Sequence, residues 1–493
     1  MPRSSAAGYF PYKKKPIRKL LIRTIEKGKI VTERKGMERL IIGCFIIFSG
    51  FTLFFNLWAR SLENHDYLRY AEISREMIRS GEWAVPHLNG EVFIDKPPLL
   101  FWLIAIPSSL YGSVTPLIAR LPSTLSAWIG LLILFLWGKR IYGSTQSGLL
   151  TGGILLSSYQ FFSQARLAKT DMVLCLFILL SLYFFYLGYE EREKKQTLFF
   201  GLCFFFMGMG VLTKGPFGLF IPLPIIAIFL IKERQWRILV SKRFIFGYAI
   251  LALTVLPWVF LFIHRVGLER SIALVTETHI LTRKAPFTFY FIQIWGQFFP
   301  WSILLPFLSI YLWKQRNRLW PSKESFFLLW FIVLFILLTL FEYRVSRYFL
   351  PALPPLALMI GGMWQKKFIY FLIPLLLVIS IWHIREYTWI KRDLSYSPGM
   401  VLVGELKPFL REQTLFGYRL DVSTLEEINY YFDRVVPNLK RRDSLSALSR
   451  GKEGRLVLMP KKVYDDIQIP GTPPLVLIQE FQYKKGRLVL LSS

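Results

Sequence analysis

The chain has 493 residues, of which 53% are hydrophobic and 17% aromatic, and Lys and Arg outnumber Asp and Glu by 61 to 32. Soluble domains are roughly 45–50% apolar with glycine included, and this chain exceeds that range before its 32 glycines are counted. These values exclude a disordered chain and a single soluble domain. The net charge of +29 does not indicate nucleic-acid binding, because basic residues set the topology of membrane proteins.

Long uncharged runs predict a polytopic α-helical membrane protein. A helix needs roughly 20 apolar residues to cross a bilayer, and about eleven runs come close to that length. None of these runs contains Asp, Glu, Lys or Arg. The predicted spans are residues 40–58, 121–137, 148–162, 172–189, 197–212, 216–231, 244–263, 290–313, 326–341, 349–363 and 368–382.

The placement of basic residues predicts a cytoplasmic N-terminus. In that orientation the inner segments carry 28 Lys and Arg and the short outer loops carry 15, which agrees with the positive-inside rule. An odd number of crossings then places the C-terminus outside. We therefore expect a basic cytoplasmic arm over residues 1–39, which contacts anionic membrane lipids, and a transmembrane domain over residues 40–385.

The tail, residues 390–493, contains no spanning run. Short β-rich runs alternate with helical patterns, which predicts a small α/β domain on the extracytoplasmic side. In the segment 423–432, Ser423 is followed three residues later by Glu426, so we expect Ser423 to be the helix N-cap. The predicted strands include residues 400–403, 435–437, 455–459, 475–478 and 488–491.

The first outer loop, residues 59–120, is predicted to contain two helices that do not cross the membrane. Residues 67–79 have helical periodicity, with Tyr67 and Tyr70 on one face. Residues 97–112 are apolar but too short to span comfortably, so we expect an interfacial or re-entrant helix.

Because the spans lack charge, ion-coupled transport is disfavoured, and we expect the chemistry in the outer loops. Asp66 is either a helix N-cap or a general base at the membrane surface. Lys96, beside Asp95, is either a snorkelling lysine or a phosphate ligand. Asp171 is either a helix cap or a second site carboxylate. Further cations that suit an anionic headgroup lie in two outer turns, at Lys214 and Arg347.

Five stretches resemble, in order and spacing, the bacterial dolichyl-phosphate-mannose–protein mannosyltransferase-like superfamily, which includes the aminoarabinose transferase that modifies lipid A. The resemblance covers roughly residues 40–365. It implies a membrane glycosyltransferase of the C-type fold in the inner membrane. Such an enzyme passes a sugar from a polyprenyl-phosphate donor to a lipid or glycan acceptor on the outer face. The stretches are "HDYLRYAEISREMIRSGEWAVPHLNGEVFIDKPPLLFW", "ARLPSTLSAWIGLLILFLWGKRIYG", "ARLAKTDM", "LTKGPFGL" and "RVSRYFLPALPPLAL".

The resemblance also implies roles for single residues. Asp66 and Asp171 fall on the two acidic positions of the family, and Lys96 matches the lysine proposed to meet the donor phosphate. Tyr67 replaces a Glu that is frequent in the family. Other donor-cavity positions correspond to Arg69, Lys214 and Arg347, to which we add Tyr70.

A divalent metal is a further implication of the resemblance, because in the aminoarabinose transferase a metal bridges an acid beside that lysine and a later histidine. Asp95 and His279 are the candidates here. The alternative for His279 is an ordinary loop histidine, and two ligands are few against the usual four for zinc.

Direct displacement by the acceptor would invert the anomeric configuration of the sugar. Three alternatives remain open. One is the same fold with a protein or surface-glycan acceptor. With a protein acceptor, the chain would be a protein O-glycosyltransferase. Another is a flippase, ligase or transporter of polyprenyl-linked substrates. The third is a scaffold without activity, which the departure at Tyr67 keeps open.

Overall fold

A computed structural model describes residues 36–59, 61–62, 65–191, 194–278, 285–319, 324–341, 344–363, 369–385, 398–410, 413–449, 455–466, 475–484 and 486–492. The chain forms two compact units, Met1–Phe51 and Thr52–Ser493. The described part of the first unit belongs to an apolar helix, α1 (Gly36–Phe54). All other elements belong to the second unit.

Helices form nearly all of the described chain as far as Arg385, as the apolar runs predict. Each of the eleven predicted spans coincides with helical segments. Helices α2 to α8 are His65–Ser80, Leu99–Tyr111, Pro116–Tyr142, Thr145–Ser157, Tyr159–Ala165, Thr170–Glu190 and Lys194–Lys214. Helices α9 to α18 are Phe217–Phe220, Pro222–Lys232, Lys242–Val266, Leu268–Thr278, Phe289–Gln297, Leu305–Lys314, Arg316–Leu319, Ser325–Leu340, Leu353–Met363 and Ile369–Arg385.

Five helices in the described ranges are long and apolar enough to cross a membrane, namely α1, α4, α7, α8 and α11. A sixth crossing is formed if α13 and the segment Trp301–Lys314, bent by 114° at a short break, count as one span. The predicted number of eleven spans therefore stays a prediction. One predicted span, 148–162, is divided between α5 and α6, because the backbone of Ser158 is extended.

Burial distinguishes the centre of the helix bundle from its surface. In α7, 83% of the most apolar 18-residue window is buried, whereas in α11 the corresponding share is 11%. Helix α11 thus exposes an apolar surface that water would disfavour and lipid would accept.

The segment predicted to be the first outer loop contains the two helices that its sequence predicts, α2 and α3. Between them lies a hairpin of strands β1 (His87–Leu88) and β2 (Glu91–Val92). Its turn residues, Asn89 and Gly90, have φ of 56° and 81°, as a type I′ turn requires. The carboxylate of Glu76 accepts hydrogen bonds from both turn amides, at 2.6 and 3.0 Å, and so ties the hairpin to α2.

The C-terminal residues form a five-stranded sheet with strand order β4-β3-β5-β7-β6. Strand β3 pairs in parallel with β4 and β5, and β7 pairs antiparallel with β5 and β6. The strands β3 to β7 are Thr414–Tyr418, Asn438–Leu439, Arg455–Pro460, Val476–Tyr483 and Gly486–Ser492. The helices α19 to α22 are Pro398–Leu406, Val422–Phe432, Arg442–Ser449 and Lys461–Asp466.

Three local predictions for the tail are wrong. Residues 400–403 belong to helix α19, because Leu402 and Leu406 lie one helical turn apart and both are buried. The strand predicted at 435–437 lies at β4 instead. The N-cap of α20 is Asp421 rather than Ser423, since the Asp421 carboxylate accepts a hydrogen bond from the amide of Thr424 at 3.0 Å. The predicted strands 455–459, 475–478 and 488–491 overlap β5, β6 and β7.

A buried carboxyl group lies where α2 packs on α20. One oxygen of Glu72 accepts a hydrogen bond from Arg75, and the other has no hydrogen-bond partner among the described residues. Arg75 also contacts Asp433 Oδ1 at 3.0 Å and the carbonyl of Tyr430 at 3.3 Å. Burial raises the pKa of Glu72 to about 7, although the nearby Arg75 lowers it.

This carboxyl group makes stability depend on pH. Because its pKa is above the ordinary 4.5, the folded state binds the proton more tightly than the unfolded state. The resulting stabilisation is present below the ordinary pKa and is lost as pH rises through the folded value. We expect the temperature of the thermal unfolding midpoint in detergent to decrease as the pH rises from about 5 to about 8. The corresponding change in unfolding free energy is at most about 3 kcal/mol. The variant Glu72→Gln should have a flatter pH profile; a profile as steep as that of the wild type would contradict this assignment.

Candidate active site

Three charged residues from separate segments meet at one end of α7 and α8. Asp171 lies in the first turn of α7, where the helix dipole favours a carboxylate. Lys214 is the last residue of α8, which ends there because Gly215 has φ of 62°. The Lys214 ammonium forms an ion pair with Asp171 Oδ1, and Arg347 Nε lies 3.5 Å from Asp171 Oδ2. Both Asp171 and Lys214 are buried.

Aromatic rings complete the surroundings of Lys214. Its Nζ lies 4.1 Å from the centroid of the Tyr348 ring and 5.9 Å from that of Phe217. Both distances allow the cation–π attraction that stabilises a desolvated ammonium group. Lysine at this position therefore has a carboxylate on one side and aromatic faces on the other.

Lys96 lies in the segment before α3, and its positive charge acts weakly on Lys214. The Lys96 ammonium also contacts Asp95 Oδ1 at 2.9 Å, and this carboxylate is about half exposed. A cation held by a partly exposed carboxylate can exchange that partner for an incoming anion. The structure thus brings together Asp171, Lys214 and Arg347, three of the residues that the sequence predicts.

Two residues of this group were missed by the sequence analysis, Tyr348 and Lys169. Lys169 precedes α7 and is buried, and its charge acts on Asp171. Its Nζ lies 5.0 Å from the centroid of the Tyr67 ring, so the start of α7 contacts the start of α2. Both residues lie inside the quoted family stretches, which is the signal that could have identified them.

Two buried arginines hold the chain that connects α1 to α2. Arg166 donates to the carbonyls of Leu53 at 2.9 Å and Phe55 at 2.7 Å. Arg120 donates to the carbonyls of Leu57 at 2.9 Å and Ser61 at 2.8 Å. Leu53 lies in the last turn of α1, where backbone carbonyls lack intrahelical partners, and the other three carbonyls belong to residues that follow this helix.

Helix α2 begins at His65, so Asp66 lies within its first turn and not in the cap position before it. The side chain of Asp66 lies outside the described part of the structure, and so does the whole of His279. The roles predicted for these two residues therefore stay predictions.

Arg69 and Tyr70, both predicted for the donor cavity, have contacts elsewhere. Arg69 Nε lies 3.2 Å from Glu426 Oε1 in α20, and its guanidinium lies 5.8 Å from the centroid of the Phe93 ring. Tyr70 is buried, with its ring centroid 5.8 Å from that of Phe101. Their assignment to the donor cavity stays a prediction.

The described side chains that could bind a metal ion do not support the metal site predicted at Asp95 and His279. Within the described residues, no three His, Cys, Asp or Glu side chains come together as a group that could hold a metal ion. Asp95 offers one carboxylate, which is engaged by Lys96. The described residues do not form a metal site.

Known proteins resemble the chain in both sequence and structure. Residues 95–260 match the family described as dolichyl-phosphate-mannose-protein mannosyltransferase. An undecaprenyl phosphate-alpha-4-amino-4-deoxy-L-arabinose arabinosyl transferase of Pseudomonas fluorescens is 27% identical over 341 residues, which are 66% of this chain and 58% of the relative. The chain spans about three fifths of the length of the curated relatives it matches.

Two solved structures share the fold. The crystal structure of ArnT from Cupriavidus metallidurans bound to undecaprenyl phosphate matches with a TM-score of 0.73 at 18% identity, over 92% of this chain and 97% of that one. The oligosaccharyltransferase of Archaeoglobus fulgidus matches with a TM-score of 0.52 at 13% identity, over 85% and 68% of the two chains. The predicted resemblance is confirmed. The chain has the fold of the membrane glycosyltransferases of the C type, and within that class it is like ArnT and the protein mannosyltransferases.

The buried ion pair makes a prediction for stability. Replacing Asp171 by Asn leaves Lys214 and Arg347 without their carboxylate, and loss of one partner of a buried pair costs about 3–5 kcal/mol of unfolding free energy. The double variant Asp171→Asn/Lys214→Met removes one of the stranded cations and should recover part of the loss. The measurement is the thermal unfolding midpoint of the purified variants in detergent.

A matched control is Asp465→Asn, which removes an exposed carboxylate 3.5 Å from Lys461. Exposed pairs contribute at most about 1 kcal/mol, so this variant should unfold close to the wild type. Equal midpoints for Asp171→Asn and Asp465→Asn would contradict the importance of the buried pair.

Proposed function

We propose that the chain is an inner-membrane glycosyltransferase. In this proposal it transfers a sugar from a polyprenyl-phosphate donor to an acceptor on the extracytoplasmic face. The observation that carries the proposal is the cluster of Lys214 and Arg347 around Asp171, with the charge of Lys96 acting on Lys214. Such a cluster suits a phosphate group at the membrane surface. The names of the relatives add support, because they contain an undecaprenyl-phosphate-linked sugar.

In the proposed reaction the acceptor oxygen or nitrogen attacks the anomeric carbon, and the bond from that carbon to the phosphate oxygen breaks. The electron pair and the negative charge leave with the polyprenyl phosphate. Cations already positioned at the place where charge develops lower the barrier, since little reorganisation is needed. Lys96 and Lys214 would supply this stabilisation. Attack from the opposite face inverts the anomeric configuration.

Removal of the acceptor proton needs a carboxylate, and both Asp66 and Asp171 are candidates. Each oxygen of Asp171 faces a cation, so we assign Asp171 to holding Lys214 and Arg347 in place. We assign Asp66, in the first turn of α2, to the general base, for a gain of roughly 10²–10⁴ in rate. A site between outer-loop helices and the bundle would also limit hydrolysis of the donor.

The acceptor we propose is lipid A or another glycan of the cell envelope. A protein acceptor would use the same donor chemistry, and a flippase would yield no new covalent product. Mass spectrometry of the lipid and protein fractions after incubation with the donor distinguishes these outcomes. The first donor to test is undecaprenyl phosphate-4-amino-4-deoxy-L-arabinose, the sugar carrier in the names of the relatives.

The assignment of the base and the phosphate ligand is tested by Asp66→Ala and Lys96→Ala. We expect each variant to reduce kcat by at least about 100-fold, because one removes the base and the other a cation at the leaving group. The measurement is sugar transfer from the donor in membrane vesicles at equal protein levels.

Glu91→Ala in the hairpin and Lys314→Ala at the end of α14 are the matched controls, since both residues are exposed. Both controls should transfer sugar at the wild-type rate. Near-normal activity of Asp66→Ala and Lys96→Ala would overturn the site assignment, and the absence of any transfer by the wild type would overturn the function itself.

A further inference from the structure

Helix α20 of the C-terminal domain contacts the chain on both sides of Asp66. Before Asp66, the hydroxyl of Tyr431 donates to the carbonyl of Leu62 at 3.2 Å. After Asp66, Glu426 Oε1 accepts a hydrogen bond from Arg69 Nε at 3.2 Å. Leu62 precedes Asp66 by four residues and Arg69 follows it by three, so the two contacts bracket the first turn of α2.

Both contacts are sheltered from water. Leu62 and Glu426 are buried, and Arg69 is 20% exposed. A buried carboxylate without a cation is strongly unfavourable. The burial of Glu426 therefore favours a fixed ion pair with Arg69. A buried carbonyl likewise needs a donor, which the Tyr431 hydroxyl provides. Bonds of this kind define position more sharply than the apolar contacts around them.

The far end of α2 is held by the same domain. Arg75 and Arg79 lie 3.0 and 2.8 Å from the carboxylate oxygens of Asp433, just beyond the last residue of α20. Contacts with α20 at both ends therefore help to fix the tilt and the rotation of α2, together with its packing on α3 and the hairpin. The orientation of the first turn of α2, to which Asp66 belongs, then depends on contacts with α20.

We propose that Tyr431 and Glu426 are positioning residues that hold the first turn of α2, and with it Asp66, in the orientation required for transfer. The proposal rests on the proposed function, in which Asp66 is the general base. It assigns to the C-terminal domain a part in completing the active site. Neither residue touches the sugar or the phosphate in this account.

The chain offers a matched control for each residue in the neighbouring position. The hydroxyl of Tyr430 donates to the carbonyl of Val114 at 3.0 Å, at the other end of the outer loop. The carboxylate of Glu427, also buried, contacts Tyr483 and Lys484 within the C-terminal domain. Tyr431→Phe is therefore compared with Tyr430→Phe, and Glu426→Gln with Glu427→Gln. Each pair loses the same atom or charge.

The experiment measures kcat and the KM for the donor, together with hydrogen–deuterium exchange of residues 61–70. Because a displacement of about 1 Å can cost up to about 100-fold in rate, we expect Tyr431→Phe and Glu426→Gln to lower kcat about 10-fold or more. The KM for the donor should stay unchanged, since the cations that bind the phosphate are intact. Exchange in residues 61–70 should increase in these two variants and not in the controls.

A merely structural role predicts a different result, in which each variant and its neighbouring control lose activity alike. That outcome, or unchanged kcat together with unchanged exchange, would overturn the proposal. If the wild type transfers no sugar, the proposed function fails, but exchange still decides whether α20 holds the first turn of α2. Increased exchange restricted to Tyr431→Phe and Glu426→Gln would in that case show that α20 holds the first turn of α2, while the catalytic part of the proposal would fail with the proposed function.

Discussion

The structure depends on the compensation of one buried charge. Asp171 lies at the start of α7, the most buried of the apolar helices that are long enough to cross a membrane, where an isolated carboxylate would be strongly unfavourable. Lys214 and Arg347 balance it, and they come from segments that are far from Asp171 in sequence. The need to pair this carboxylate joins α7, α8 and the turn before α17 at one end of the bundle. Two cations on one carboxylate leave an excess of positive charge, to which the charges of Lys96 and Lys169 add. A phosphate group would neutralise this excess.

The segment with α2 and α3 and the C-terminal helix α20 pack next to this end of the bundle. Lys169, at the start of α7, contacts Tyr67 at the start of α2, and α2 in turn is bound by α20 through Arg69 and Asp433. A continuous set of contacts thus connects the buried cluster with the C-terminal sheet.

Much of this could be predicted from the sequence, for identifiable reasons. Helices were correctly located because apolar runs and helical period are local signals, as in α2 and α3. Asp171, Lys214 and Arg347 were identified as candidates because charged residues are conspicuous beside uncharged spans. Tyr348 was missed because one more aromatic residue is not conspicuous in a chain that is rich in them. The strand predicted at 400–403 was wrong, since β-branched residues also suit a packed helix once Leu402 and Leu406 share a buried face. The pairing of Arg69 with Glu426, 357 residues later, has no local signal at all.

We propose above that the cations around Asp171 bind the phosphate of a polyprenyl carrier. The most direct test is an experimental structure of the protein with a bound polyprenyl phosphate, in which the distances from the phosphate oxygens to the ammonium groups of Lys96 and Lys214 are measured. We expect at least one of these distances to be that of a charge-assisted hydrogen bond, about 2.7–2.9 Å. A phosphate bound at another surface, with both lysines still engaged only by Asp95 and Asp171, would contradict it.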